Sequence, residues 1–166
     1  GGLDMPVVMD SRTTDVVAKF GGHLGRPLAT GDRLRIGEPA FGGRRSLAPL
    51  KPTGQIRLMP AGEFEHFAPE SQAHLFSVPW SILPESNRMG YRLTGPALTY
   101  SGLELHSHAV FPGIVQVPPN GSPIVLMADA QTTGGYPKIG VVAPDDLSLL
   151  AQMRPGEAFS FAHWKA

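Results

Sequence analysis

Glycine and proline constrain this chain more than any other feature. Twenty glycines and 17 prolines lie among 166 residues, and they are spread through apolar segments instead of being gathered in one tract. Proline breaks helix interiors and central strands, and glycine weakens both. Long helices are therefore excluded, and many short strands joined by turns are expected. Because 42% of the residues are hydrophobic, disorder is excluded as well. The length suits a single domain, 1–166, with a real core.

Composition also removes several functional classes. Fourteen basic residues balance fourteen acidic ones, so there is no electrostatic footprint for nucleic acid or an anionic membrane. With no cysteine, disulfides, thiolate zinc sites and a cysteine nucleophile are ruled out. No run approaches the roughly 18 apolar residues of a membrane span. Gly1-Gly2-Leu3-Asp4 has neither an initiator Met nor a signal-peptide pattern, and the expectation is a piece of something longer.

Along the chain, Met5–Met9 reads as the end of an extended segment. Ser11–Asp15 is suited to capping a short helical turn. Phe20–Pro27 is a loop, and Thr30-Gly31-Asp32 within Leu28–Ile36 suggests a hairpin-like reversal. The aperiodic stretch 37–54 reads as a long surface loop or linker. Ile56–Pro60 reads as a strand and Pro69–Val78 as a helix with Pro at its first position, Glu70 in the first turn, and Leu75 and Phe76 toward the core. Short strands follow at Tyr91–Leu93, Leu103–Leu105, Gly113–Val117, Ile124–Met127 and Lys138–Val142. Between them, Pro118-Pro119-Asn120-Gly121 is a tight reversal in which Asn-Gly supplies positive φ. Asp145 or Asp146 is placed to cap a second short helix running to Gln152, and Ala158–Ala162 forms the last strand. The pattern is a mainly β barrel with two short helices.

Two polar segments carry the candidate chemistry. Ser86–Arg92 (SNRMGYR) groups Asn87, Arg88 and Tyr91 around Gly90, and Arg88 is suited to grip a carboxylate or phosphate with its two-pronged guanidinium. Asp129–Lys138 (DAQTTGGYPK) follows an apolar strand. Its Thr132 and Thr133, with the amides at Gly134-Gly135, form a candidate anion nest, to which Lys138 adds a point charge. Its spacing is not that of a Walker loop. The alternative for the first is a solvated turn with Arg88 and Arg92 in surface ion pairs, and for the second a wide turn with a Gly-Gly kink. In His106-Ser107-His108, two imidazoles on one face of a strand invite a metal, but no third ligand stands nearby, so no metal site is expected. One of these histidines serves equally well as an acid–base group.

Several segments together resemble one family. Gly1–Pro6, Ser11–Thr14, Gly31–Leu34, Ser86–Leu93, Pro112–Pro119 and Pro123–Lys138 are similar to motifs of the allophanate hydrolase subunit 2 family, also called the biotin-dependent carboxyltransferase family. Leu105–His108 followed by Pro112-Gly113 resembles the branch that holds the C-type subunits of 5-oxoprolinase. The resemblance implies a cyclophilin-like β-barrel and a chain that is the C-terminal portion of a longer cytoplasmic subunit. It also implies work with B-type and A-type partner subunits to open 5-oxo-L-proline to L-glutamate, driven by ATP bound at the level of the complex.

On that reading the family supplies the positions, and residue chemistry suggests the roles. Arg88 and Lys138 clamp anionic groups. Asn87, Gln131, Thr132 and Thr133 orient the substrate, Tyr91 or Tyr136 walls the pocket, and Asp129 or His108 moves protons. One alternative is the carboxyltransferase region of a urea carboxylase, for which biotin would arrive on another domain, since this chain has no Ala-Met-Lys-Met motif. A second is a non-catalytic module that antagonises an inhibitor of a histidine kinase. Prolyl isomerisation rests on fold analogy alone.

Overall fold

The computed structural model of the chain describes residues 2–38 and 53–164. Its contacts divide it into two compact units, Gly1–Ala48 and Pro49–Ala166, each described by itself. Most of the expected loop at 37–54, namely 39–52, lies outside the described residues.

In the first unit, strand β1 (Thr14–Asp15) pairs antiparallel with β2 (Phe20–Gly21). The capping oxygens at 11–15 act as expected, but on a hairpin turn and not a helical one: Asp15 Oδ1 accepts from the amides of Val17 and Ala18 at 3.0 and 2.9 Å. The extended segment ends in a tight reversal, with Met9 and Asp10 both left-handed and Val8 and Ser11 exchanging backbone hydrogen bonds. The turn near Gly31 also forms, since the Asp32 amide donates to the Ala29 carbonyl and Asp32 Oδ2 accepts from the Ala29 amide. The hairpin expected around it does not form. Asp32 is held instead by a two-pronged bond from Arg26, 2.8 Å on each side, and Ile36 bridges to Leu3.

The second unit holds β3 (Gln55–Pro60), a 3-10 turn (Phe64–His66), α1 (Pro69–Ser77), β4 (Pro79–Ile82), β5 (Gly90–Thr94), β6 (His108–Ala109), β7 (Ile114–Gln116) and β8 (Ile124–Leu126). It continues with β9 (Thr133–Gly134), β10 (Lys138–Val142), α2 (Pro144–Leu150) and β11 (Ala158–His163). Seven strands close a barrel in the order β10-β3-β11-β4-β5-β8-β7. Its pairs are antiparallel except β3 with β11. The mainly β barrel with two short helices read from the sequence is the observed architecture.

Period-two alternation fills the barrel, with Ile56, Leu58, Val115, Val125, Ile139, Phe159 and Phe161 pointing inward to meet Trp80 and Leu75. Trp80 satisfies its indole N–H on the Leu75 carbonyl at 3.1 Å, as a buried indole must. Closure also needs Gly140, because a Cβ there would run into the fully buried Leu58 side chain.

Three local expectations are corrected. Leu103–Leu105 is not a strand; residues 103–107 are irregular and the strand is His108–Ala109. The Pro118–Gly121 reversal closes through the Gly121 amide on the Pro118 carbonyl, with positive φ at Gly121 and not at Asn120. Neither Asp145 nor Asp146 caps α2. Its cap position is Ala143, with Pro144 opening the helix, and Asp146 is buried against β3, where it receives the Arg57 amide, Nε and Nη2 at 2.7–2.9 Å.

Candidate functional site

The two polar segments meet at the mouth of the β5–β8 pair. The Asp129 amide donates to the Arg88 carbonyl and the Met127 amide to the Met89 carbonyl, so Arg88 and Asp129 stand side by side. Arg88 Nε and Nη2 reach the two Asp129 oxygens at 2.7 and 2.9 Å. The guanidinium expected to clamp a ligand anion is thus engaged by a carboxylate of this chain, in an exposed pair. Asp129 holds Arg88 in its charged form even above the usual range. Asn87 Oδ1 accepts the Met89 amide and stabilises the turn that presents Arg88. Tyr91 leaves this corner, and its hydroxyl reaches the Ala151 carbonyl beyond α2 at 3.3 Å.

The Asp129–Lys138 segment is a strap rather than a nest. Gln131 and Thr132 are exposed, and the Thr132 carbonyl accepts the Val110 amide. Thr133 and Gly134 form β9, paired with Ala109 and His108 of β6. Gly134 and Gly135 are absent from the left-handed glycines, so the alternation a backbone nest requires is not formed here.

The β6–β9 ribbon lies on the outer face of the barrel. Val115 of β7 points into the main core, while its neighbour Ile114 joins Val110 and Leu126 in a second, external cluster. Gln116 shares the Ile114 face and is only 2% exposed. Its amide occupies the space where a Gly134 Cβ would stand, 2.7 Å away, and reaches the Tyr136 carbonyl at 3.4 Å.

Directly paired residues of an antiparallel ladder present their side chains to one face. His108, opposite Gly134, and Lys138, opposite Gln116, therefore belong to the neighbourhood of Gln116. Lys138 Nζ lies 3.4 Å from Glu63 Oε1, with both side chains about four-fifths buried. Glu63 Oε2 and His108 Nε2 are buried with no hydrogen-bond partner among the described residues. His108 Nδ1 is 3.0 Å from the His106 carbonyl oxygen. A carbonyl only accepts, so Nδ1 carries the proton, and in the neutral ring Nε2 keeps a bare lone pair.

Tyr136, whose carbonyl meets Gln116, also lines a groove of about 630 Å³ walled by Tyr100, Leu103, Leu105, Pro119 and Asn120. The expected residues are thus distributed over an Arg88–Asp129 corner, a Lys138–Glu63–Gln116–His108 cluster and a Tyr136 groove. Sequence reasoning missed Glu63 and Gln116. Gln116 did carry a signal, being the one amide inside the apolar run Gly113–Val117. Among the described residues no three His, Asp or Glu gather to hold a metal.

The closed, mainly β barrel thus bears a largely buried cation–carboxylate pair, Lys138 with Glu63, and an imidazole with a bare lone pair. The chain belongs to the carboxyltransferase domain, subdomain A and B family, whose pattern matches residues 1–163. It is 44% identical over 164 residues to the C-type subunit of 5-oxoprolinase from Escherichia coli (strain K12), covering 97% of this chain and 53% of that protein. It is 28% identical over 189 residues to urea amidolyase of Lachancea kluyveri, covering 97% of this chain and 10% of that one. The solved Kluyveromyces lactis urea carboxylase superposes with a TM-score of 0.77 at 25% identity, over 99% of this chain and 17% of that one. The chain spans about half the length of the 5-oxoprolinase subunits it matches.

Proposed function

We propose that this chain is a portion of the C-type subunit of a cytoplasmic ATP-dependent 5-oxoprolinase, which opens 5-oxo-L-proline to L-glutamate together with A-type and B-type subunits. The observation that carries this reading is the 44% identity to a C-type 5-oxoprolinase subunit along 97% of the chain, against 28% and 27% to the urea amidolyases.

An unstrained lactam resists water. Phosphorylation of its carbonyl oxygen by ATP activates the ring carbon. One water then adds, the C–N bond breaks as nitrogen takes a proton, and a second water displaces phosphate from the acyl phosphate left behind. Such chemistry needs cations for carboxylate and phosphate and a base for water. Lys138, steadied by Glu63, supplies a point charge. Arg88 exchanges Asp129 for a substrate carboxylate, which frees Asp129 to relay a proton. His108, with its bare Nε2, accepts the proton of the attacking water. Asn87, Gln131, Thr132 and Thr133 orient the substrate, Tyr136 walls its approach, and Tyr91 supports the barrel end behind it.

The test is ATP-dependent glutamate release from 5-oxoproline by the full-length protein with its partner subunits. Biotin- and bicarbonate-dependent carboxylation of urea by the same assembly, without glutamate release, would replace this reading with the carboxyltransferase one.

A further inference from the structure

In the proposed reaction His108 Nε2 takes the proton of the attacking water, yet that atom is buried and has no hydrogen-bond partner among the described residues. A general base must come within hydrogen-bond reach of the proton it takes. A lone pair sealed from solvent does not meet that condition, and a buried acceptor without a donor weakens the arrangement that seals it. Both facts require a second arrangement in which the atom is open. His108 and the residues around it belong to the second unit, and further chain can only bury them more.

The seal is the β6–β9 ribbon. His108 pairs with Gly134, and Ala109 with Thr133. Ala109 and Thr133 are exposed, whereas His108 and Gly134 are half-buried. A Cβ on Gly134 would stand 2.7 Å from the Gln116 amide nitrogen, so His108, on the same face of the ladder, is turned toward the barrel wall.

Little holds the ribbon there. β6 and β9 form a sheet of their own, two residues to a strand, and so short a pair is marginal without support. Among the described residues, no hydrogen bond joins either strand to a barrel strand. The nearest tie runs from Gln116 Nε2 to the carbonyl of Tyr136, just past β9, at 3.4 Å, longer than an ordinary N–H···O bond. The apolar support beside it is small, with Val110 set against Ile114 and Leu126. A segment with so few apolar contacts and hydrogen bonds to its base opens at low free energy.

Resting on the reading of His108 as the base, we propose that the β6–β9 ribbon is a strap that lifts to let substrate reach His108 Nε2, and that Gln116 is the latch holding it on the barrel. Diethyl pyrocarbonate, which acylates a bare imidazole nitrogen, reads the opening on the full-length protein without substrate. Two variants approach the latch from opposite sides. Gln116→Met keeps the length and loses the amide, while Gly134→Ala drives a methyl group into it. Ile82→Ala, at a buried position of β4, loosens the core elsewhere and is the control. In either latch variant that keeps the native fluorescence of Trp80, His108 should be labelled at least about tenfold faster than in the wild type, the response to losing one hydrogen bond. Peptide mass spectrometry reads the rate, and Ile82→Ala should show no such gain. Equal labelling of wild type and latch variants, or an equal gain in Ile82→Ala, would overturn the strap. The labelling needs no turnover, so a latch effect in an assembly that releases no glutamate would support the strap and count against the 5-oxoprolinase reading alone.

Discussion

Lys138 and Arg88 carry the same charge in very different settings, and that difference makes their roles separable. Lys138 and Glu63 are about four-fifths buried, so a ligand contact by this ammonium acts with little screening. Lys138→Ala in the assembled enzyme should lower kcat/KM roughly 10- to 150-fold, as loss of a charge-assisted bond does; a near-wild-type value would remove Lys138 from the site. Arg88 and Asp129 form an exposed pair, and solvent screening leaves such a pair with little effect on stability. Arg88→Ala should leave the urea midpoint nearly unchanged, so any large kinetic loss reports a substrate contact. For Asp129→Asn the expected outcome is a fall in kcat at similar KM; a fall in KM alone would mean that Asp129 merely competes with substrate for Arg88. The sequence made Arg88, Asp129 and Lys138 visible as reactive types, but not their partners. Glu63 lies 75 positions before Lys138, and only the β3–β10 closure brings that end of the barrel together.

At the scale of elements, the contact between α2 and β3 is the one most exposed to acid. The hydrogen-bonded Arg57 guanidinium holds the Asp146 carboxyl below the usual carboxylate range, and the Arg57 amide adds to this. A depressed folded-state pKa contributes stability that is complete above the unfolded value, near 4, and is lost as pH falls through the folded value. Denaturation midpoints of wild type and Asp146→Asn should therefore differ at neutral pH and converge below about pH 4; a gap that stays constant down to pH 2 would exclude this pair as the cause. Gly140→Ala should cost about 1–3 kcal/mol by overpacking Leu58, and a neutral result would mean that the β3–β10 seam can spread. Legibility from sequence followed the strength of local signals. Proline at the first position, with Leu75 and Phe76 available to the core, made α1 readable, and a short β-branched run after Pro137 made β10 readable to its ends. β4 was missed because Pro79 reads as a strand breaker, although it sits at the first strand residue, where proline is tolerated. β6 and β9 are two residues each, too short for any period, and exist because the ribbon covers Ile114 and Gln116.

For the whole molecule, the arrangement of polar groups bears on what the chain does alone. Small-molecule sites enclose most of their ligand's surface. Here the candidate groups lie in a corner, a ribbon-covered cluster and an open groove, and none of these surrounds a substrate with cations, base and orienting groups together. The family resemblance read from the DAQTTGGYPK and SNRMGYRL stretches identified the barrel, yet it could not show that separation, which arises from tertiary packing of the strap across the outer face. Under the proposed function, walls supplied by the rest of the protein and by partner subunits complete the site. The 166-residue chain should release no glutamate from 5-oxoproline and ATP above the blank, while the full-length protein assembled with its partners does so, and adding the chain to the partners alone should not restore the rate. Both reactions are followed by the same glutamate-coupled assay, with the buried Trp80 reporting by fluorescence that the barrel is folded in the inactive sample. Glutamate formation by the folded chain alone, at a rate that falls with Lys138→Ala, would show that the three groups converge within this barrel and that no further walls are needed.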